Sequence, residues 1–238
     1  MKSVIVIPAR YASVRLPGKP LLDIAGKPLI QRVYEQARGS TLAHEVLVAT
    51  DDERIKAGCE AFGAPVKMTS PDCGSGTDRV HEAVKGRQAD IVVNLQADEP
   101  QIRPDMIDAL IRAVDEEGLQ MATLCSCITD PLEYESPHVV KIVRDSSGMA
   151  LYFSRAPLPF LQKSISIPLY KHIGIYAFSR PFLDTFVALP KGRLEEAESL
   201  EQLRALEAGY RIKTLLVEYE GIGIDTEADL EQARKMLG

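Results

Sequence analysis

The 238 residues carry 28 Lys and Arg against 34 Asp and Glu, a net charge of -6, with 45% hydrophobic side chains. A chain of this size and apolar content can bury a full core, and its acidic balance excludes general nucleic-acid binding, which relies on a broad basic surface neutralising many phosphates. No apolar stretch reaches the roughly 18 residues of a membrane span, and the single lysine and short apolar run before Pro8 do not make a secretory leader, so a cytoplasmic protein without membrane partners is expected.

Apolar, β-branched runs at 4–7, 45–49, 66–68 and 91–95 are each followed by helical periodicity, at 29–38, 53–62, 77–84 and 105–114. Strands alternating with helices of this length predict βαβ units and a mainly parallel α/β sheet with helices on both faces. Thr50, three residues before Glu53, and Thr77 read as helix caps, and Pro104 stands where a first helical residue tolerates a missing N–H. From Met121 onward, strand-like runs at 121–128, 139–143, 149–154 and 172–178 have no convincing helix between them, so an antiparallel sub-region is expected over 121–178. The stretch 157–168, with prolines at 157, 159 and 168, reads as a loop over a site or a partner subunit. A helix at 197–208, a strand at 212–217 and the capping box Thr226-x-x-Asp229 complete one expected domain, 1–238. Cys59, Cys73, Cys125 and Cys127 include no C-x-x-C pair and read as buried, reduced thiols.

The loop after the first strand concentrates positive charge. Residues 1–22 contain Lys2, Arg10, Arg15 and Lys19 and no acidic side chain. Ligands of open α/β sheets bind beyond the carboxyl ends of the strands, so a small anion is expected there. Pro20 follows Gly18-Lys19 where a Walker loop needs Ser or Thr, and the first glycine of that motif is missing. The three-glycine dinucleotide fingerprint is absent too, which removes a nicotinamide-dependent oxidoreductase. What remains is a long loop whose guanidinium forks and ammonium can wrap a polyphosphate.

Other segments carry chemistry of their own. "CGSGTDR", residues 73–79, is a capped turn on its own terms, yet its glycines would also let the backbone approach a flat base. "VNLQADEPQI" ends a buried strand in Gln96, Asp98 and Glu99, and a carboxylate at such a strand end beside a polyphosphate is placed to hold Mg²⁺, a reading favoured over Asp98 as a turn residue before Pro100. Asp225, between Gly221–Gly223 and the Thr226 cap, reads alone as a turn residue. Magnesium keeps one or two protein carboxylates, so Asp225 would complete a site with Asp98 if the fold brought the two together across 127 positions. Arg155 ends a strand, His172, Gly174 and Tyr176 share a strand face, and Glu198, Glu201 and Gln202 share a helix face. Each of these alone reads as ordinary packing or solvated surface, and His44, His81 and His138 suggest nothing.

Taken in order, "IPARYASVRLPGKPLLDIAGKPLI", "ATDDERI", "SGTDR", "VNLQADEP", "MATL", "ALYFSRAPLP", "KHIGIYAF", "ESLEQLRAL" and "GIDTEADLE" resemble the 3-deoxy-manno-octulosonate (KDO) cytidylyltransferases over nearly the whole chain. The resemblance implies a Rossmann-like sheet of the nucleotide-diphospho-sugar transferase type with an antiparallel region used for dimerisation. It also implies a Mg²⁺-dependent cytoplasmic homodimer that joins CTP to KDO, releasing pyrophosphate and CMP-KDO for lipopolysaccharide assembly. Carried over, Arg10, Arg15 and Lys19 hold the triphosphate and Ser75, Gly76 and Arg79 meet cytosine, while Pro8, Ala9, Thr77, Ala97 and Asp98 complete the CTP set. Asp98 and Asp225 hold the metal and, with Lys19, Arg10 and Arg15, form the catalytic group. Gln96, Arg155, His172, Tyr176, Glu198 and Gln202 line the sugar pocket. The chain departs from the family in "QADEP", where Gly often precedes Asp, and in "GIGIDT", where Thr often follows the first Gly. Alternatives are an 8-amino-KDO or sialic acid acceptor, or a catalytically silent nucleotide-binding module; "RLPGKP" and "HIGIY" favour KDO, and retention of both aspartates argues for an enzyme.

Overall fold

The computed structural model describes residues 1–12, 16–163 and 167–238, and the predicted site residue Arg15 lies outside them. Strand β1 (Ser3–Ala9) is buried throughout. A short 3₁₀ turn (Lys19–Leu21) and a small ribbon of β2 (Asp23–Ile24) and β3 (Lys27–Pro28) lead into α1 (Leu29–Arg38). Then follow β4 (Glu45–Thr50), α2 (Glu53–Ala61), β5 (Val66–Met68), α3 (Gly76–Ala83), β6 (Ile91–Leu95), α4 (Pro104–Glu116) and β7 (Met121–Cys127). The second half holds α5 (Pro131–Glu135), β8 (Lys141–Arg144), β9 (Ala150–Ser154), β10 (Tyr170–Ser179), α6 (Arg180–Ala188), α7 (Arg193–Glu198), α8 (Leu203–Glu207), β11 (Lys213–Leu216) and α9 (Glu227–Leu237).

The main sheet runs β11-β7-β10-β6-β1-β4-β5, with β8 and β9 attached beside β10. Alternation of side chains along each strand builds two cores. Ile5, Ile7, Val46 and Val48 face α1, α2, α4 and α9, while Val4, Val6, Leu47 and Ala49 face α3, α6 and α8. On the second face Phe178 packs against Phe182 and Phe186, with ring centroids 6.4 and 5.5 Å away. Helices on both faces explain why these strands read as continuous apolar runs.

The second half bears out one expectation and corrects others. β7 and β11 run parallel to one another, and among the seven strands of the main path β10 alone runs against its neighbours β6 and β7. The expected antiparallel pairing over 121–178 holds, since β10 pairs antiparallel with β7 and β8 and β8 pairs antiparallel with β9, and β10 reaches the parallel strands by inserting between β6 and β7. Helix α5 falls inside the region read as helix-free, and α6 has no counterpart in the predicted elements. The expected helix at 197–208 is two short helices, broken where Ser199 adopts φ 53°. Glu195 and Arg204 hold the two pieces together through a buried bidentate pair at 2.8 and 2.6 Å, so the tertiary ion pair overrides local helix preference.

Caps differ as well. Asp52, not Thr50, caps α2, and Ser75, not Thr77, caps α3 by accepting from Asp78 N at 3.1 Å. In both places the polar residue immediately outside the helix wins, since only an extended residue can turn its oxygen onto the first free N–H groups. Pro104 does open α4, and Thr226 with Asp229 forms the box that opens α9. The four cysteines are free, but only Cys59 and Cys125 are buried; Cys127 is exposed and Cys73 is half-buried.

Candidate active site

The carboxyl ends of β1, β4, β6, β7 and β11 lie along one edge, and β10, running the other way, begins there at Tyr170. Beyond β1 the chain bends at Gly18, whose φ of 69° lies in the left-handed region and whose N–H donates to Tyr11 O at 3.0 Å. That bend sets the 3₁₀ turn and aims Lys19 across the edge. Lys19 Nζ donates to Asp98 Oδ2 at 2.8 Å, to Ile224 O at 2.8 Å and to Asp225 Oδ1 at 3.2 Å. Burial works against its charge, yet the two aspartates hold its ammonium above the usual lysine range.

The loops bearing Asp98 and Asp225 are docked on one another. Ile224 N donates to Asp98 O at 2.9 Å, Ile222 N to Gln101 Oε1 at 3.1 Å, and Tyr219 OH to Glu99 Oε2 at 2.8 Å. Asp229 accepts from Asp225 N at 3.0 Å, so the cap that starts α9 also fixes the backbone of Asp225. Burial, then the neighbouring charge of Asp98, pushes the Glu99 carboxyl up to about 8.

A cleft of about 390 Å³ opens over these groups, lined by Asp98, Glu99 and Asp225 together with Arg155, Lys171 and His172. Arg155 is braced by Nε donating to Glu198 O at 2.9 Å and Nη1 to Pro137 O at 3.0 Å. The Thr123 hydroxyl donates to Ile175 O at 2.7 Å and lies 2.9 Å from His172 Nε2. Having spent its proton, Thr123 accepts from Nε2–H, which leaves Nδ1 of the neutral ring as the acceptor. Burial pushes the His172 imidazole down to about 3, so it stays neutral across physiological pH.

The remaining predicted residues are distributed unevenly. Arg10 Nη2 donates to Cys73 O and, at 3.3 Å, to Ser75 O, joining the basic loop to the turn before α3. Gly76 lies against Pro8 and Gln96, and buried Ala9 and Ala97 belong to the core beneath the edge. Thr77 donates to Glu201 at 2.8 Å and accepts from Asn94, whose amide oxygen accepts from Gln96 Nε2 at 2.7 Å. Tyr176 donates to Gln202 at 3.0 Å, and both are buried. Both carboxylate oxygens of Glu198 accept from Ser154 and Arg155 N, so Glu198 braces the end of β9 instead of reaching into the cleft. Arg79 is fully buried, its guanidinium donating to Thr69 and, at 2.9 Å, to Asp51. The helix face expected for Glu198, Glu201 and Gln202 does not exist, since α7 ends at Glu198.

Sequence reasoning named Glu99 at the strand end without giving it a role and missed Tyr219, Glu133, Lys171 and His138, all of which line the cleft. Lys171 and Glu133 are ion-paired. Lys171 and Tyr219 stood within or beside quoted segments, and their proximity to His172 and Asp225 was the available signal. His138 carried none, because its approach depends on the turn before β8.

Among the described residues no three His, Cys, Asp or Glu side chains cluster as a metal site. Two carboxylates and one carbonyl do converge on Lys19 Nζ, a set that suits a hard cation whose other ligands come from a substrate's phosphates. A cationic loop and paired carboxylates at the carboxyl edge of a doubly wound sheet suit an enzyme that transfers nucleotidyl groups.

The family profile described as Cytidylyltransferase matches residues 4–213. The chain is 48% identical over 98% of its length to a 3-deoxy-manno-octulosonate cytidylyltransferase of Solibacter usitatus, 93% of which is covered. It is 46% identical, over its full length and 99% of the relative, to an 8-amino-3,8-dideoxy-manno-octulosonate cytidylyltransferase of Shewanella baltica. A solved CMP:2-keto-3-deoxy-manno-octonic acid synthetase complexed with CTP superposes with a TM-score of 0.95 at 48% identity, covering 100% of this chain and 98% of that one. The chain belongs to the cytidylyltransferase family.

Proposed function

We propose that this protein transfers CMP from CTP to KDO, releasing pyrophosphate and CMP-KDO for lipopolysaccharide assembly, in the cytoplasm and as a homodimer. The observation that carries the reading is the meeting of Lys19, Asp98 and Asp225 at the strand edge, in a chain about half identical to enzymes named for that reaction.

The anomeric hydroxyl of the sugar attacks the α-phosphorus in line, its proton passes to solvent, and the bond to the β-phosphate oxygen breaks. CTP brings about four negative charges and the sugar acid another, and unit charges 4 Å apart still cost about 4 kcal/mol at an intermediate dielectric. Arg10, Arg15 and Lys19 offset that repulsion. Mg²⁺, held by Asp98 and Asp225, would supply further charge neutralisation at the α-phosphate. Arg155 offers a braced guanidinium to the sugar carboxylate, and neutral His172 offers a hydrogen-bond acceptor to a sugar hydroxyl. Ser75 and Gly76 present backbone to cytosine. In keeping with phosphoryl chemistry, positioning and charge stabilisation carry the reaction and no side chain forms a covalent intermediate.

The homodimer draws support from exposed apolar side chains in the strand-rich half, with Leu132 76%, Leu151 59% and Phe160 85% exposed. No helix among the described residues is long and apolar enough to cross a membrane. Pyrophosphate release from CTP and Mg²⁺ should be fast with KDO, slower with 8-amino-KDO, absent with N-acetylneuraminate, and abolished by chelation. Absence of release with every acceptor defeats the proposal, and faster turnover of 8-amino-KDO reassigns the substrate. A sedimentation mass of 26.2 kDa, that of one chain, removes the dimer.

A further inference from the structure

We propose that Lys19 is a placeholder cation: in the nucleotide-free protein its ammonium occupies the ligand set meant for the metal and gives it up only when a triphosphate draws it away. This rests on the metal role proposed for Asp98 and Asp225 and deepens it into a binding order.

An ammonium has three N–H donors and no acceptor. Lys19 spends all three on Asp98 Oδ2, Asp225 Oδ1 and Ile224 O, at 2.8, 3.2 and 2.8 Å. Those are hard oxygens of the kind that magnesium and manganese take. The Lys19 side chain is only 14% exposed, so the ammonium fills the space between the carboxylates rather than brushing their rim.

The anchoring of Lys19 suits a cation that moves. Its backbone is fixed in the 3₁₀ turn, with its N–H donating to Leu16 O at 3.0 Å and its carbonyl accepting from Leu22 N at 3.1 Å. Only the four-carbon stem is left to swing, and an ammonium is a point charge with rotatable donors, well suited to exchanging carboxylate for phosphate partners. Once the ammonium turns to the triphosphate, Asp98 Oδ2, Asp225 Oδ1 and Ile224 O lose that donor, and a divalent ion whose remaining ligands the phosphates complete takes its place. Metal and nucleotide therefore bind with positive coupling, and the coupling is reciprocal.

The test is Mn²⁺ binding to nucleotide-free protein, read from the electron paramagnetic resonance signal of the free ion. Lys19→Met should bind Mn²⁺ at least fivefold tighter than the parent chain, Lys19→Arg should not, and Asp98→Asn added to Lys19→Met should erase the gain. Lys19→Gln serves if the methionine variant fails to fold, as judged by circular dichroism. A gain below fivefold in the folded variant, or one that survives Asp98→Asn, overturns the placeholder. Pyrophosphate release by the unmodified protein tests the underlying reading separately, so the two failures can be told apart.

Discussion

Asp225→Asn is expected to lower kcat/KM for CTP by about 100-fold or more, equivalent to about 2.7 kcal/mol of transition-state stabilisation. Asparagine keeps the shape and one oxygen but removes the charge that, with Asp98, faces Lys19. The fold should survive, because this loop is also placed by contacts that do not use the carboxylate: Ile224 N bonds Asp98 O, Tyr219 bonds Glu99, and Asp229 caps the helix that follows. The melting temperature should therefore move by no more than a few degrees while pyrophosphate release collapses. Unchanged turnover would exclude Asp225 as a metal ligand, and a large loss of stability would make it a structural residue.

Arg79 yields the opposite signature. Resemblance places it at cytosine, whereas the fold buries its guanidinium completely against Asp51 and Thr69. Removing one partner of a buried pair strands the other, at a cost of about 3 kcal/mol or more. For a chain of this length that lowers the melting temperature by roughly 6–12 °C. Arg79→Met should show that loss in thermal unfolding, with KM for CTP at 10 °C changed less than about threefold. A KM raised tenfold with stability intact would return Arg79 to the base-binding role. The residue supports the turn from beneath, since Asp51 follows β4 and Thr69 follows β5, and Arg79 on α3 ties both strand ends to the helix that carries Ser75 and Gly76 at its start.

The site was legible in the chain to different depths. Lys19 stood out because an acidic protein places its cations in a loop after a buried strand, and Asp98 because a carboxylate ends an apolar one. Arg155 and His172 rested on resemblance, and both line the same cleft as the aspartates. Glu198 and Arg79 are the same kind of inference, yet their charged groups are engaged by Ser154, Arg155 N, Asp51 and Thr69, partners remote in sequence that no local pattern reports. Glu99 and Tyr219 were given no role for the same reason, since their importance arises from a contact across 120 positions.

What the sequence determined by itself is local and periodic. Alternating apolar runs and helical spacing set the strands and helices of the first half, the glycine before Lys19 set a left-handed bend, and the order of motifs set the family. Tertiary structure alone decided the rest. It inserted β10 against the direction of its neighbours, broke the helix after Glu198 around the Glu195–Arg204 pair, and joined the loops of Asp98 and Asp225. Each of these depends on burying charge or pairing backbone between segments far apart in the chain, and such energies exist only once the sheet has brought the segments together.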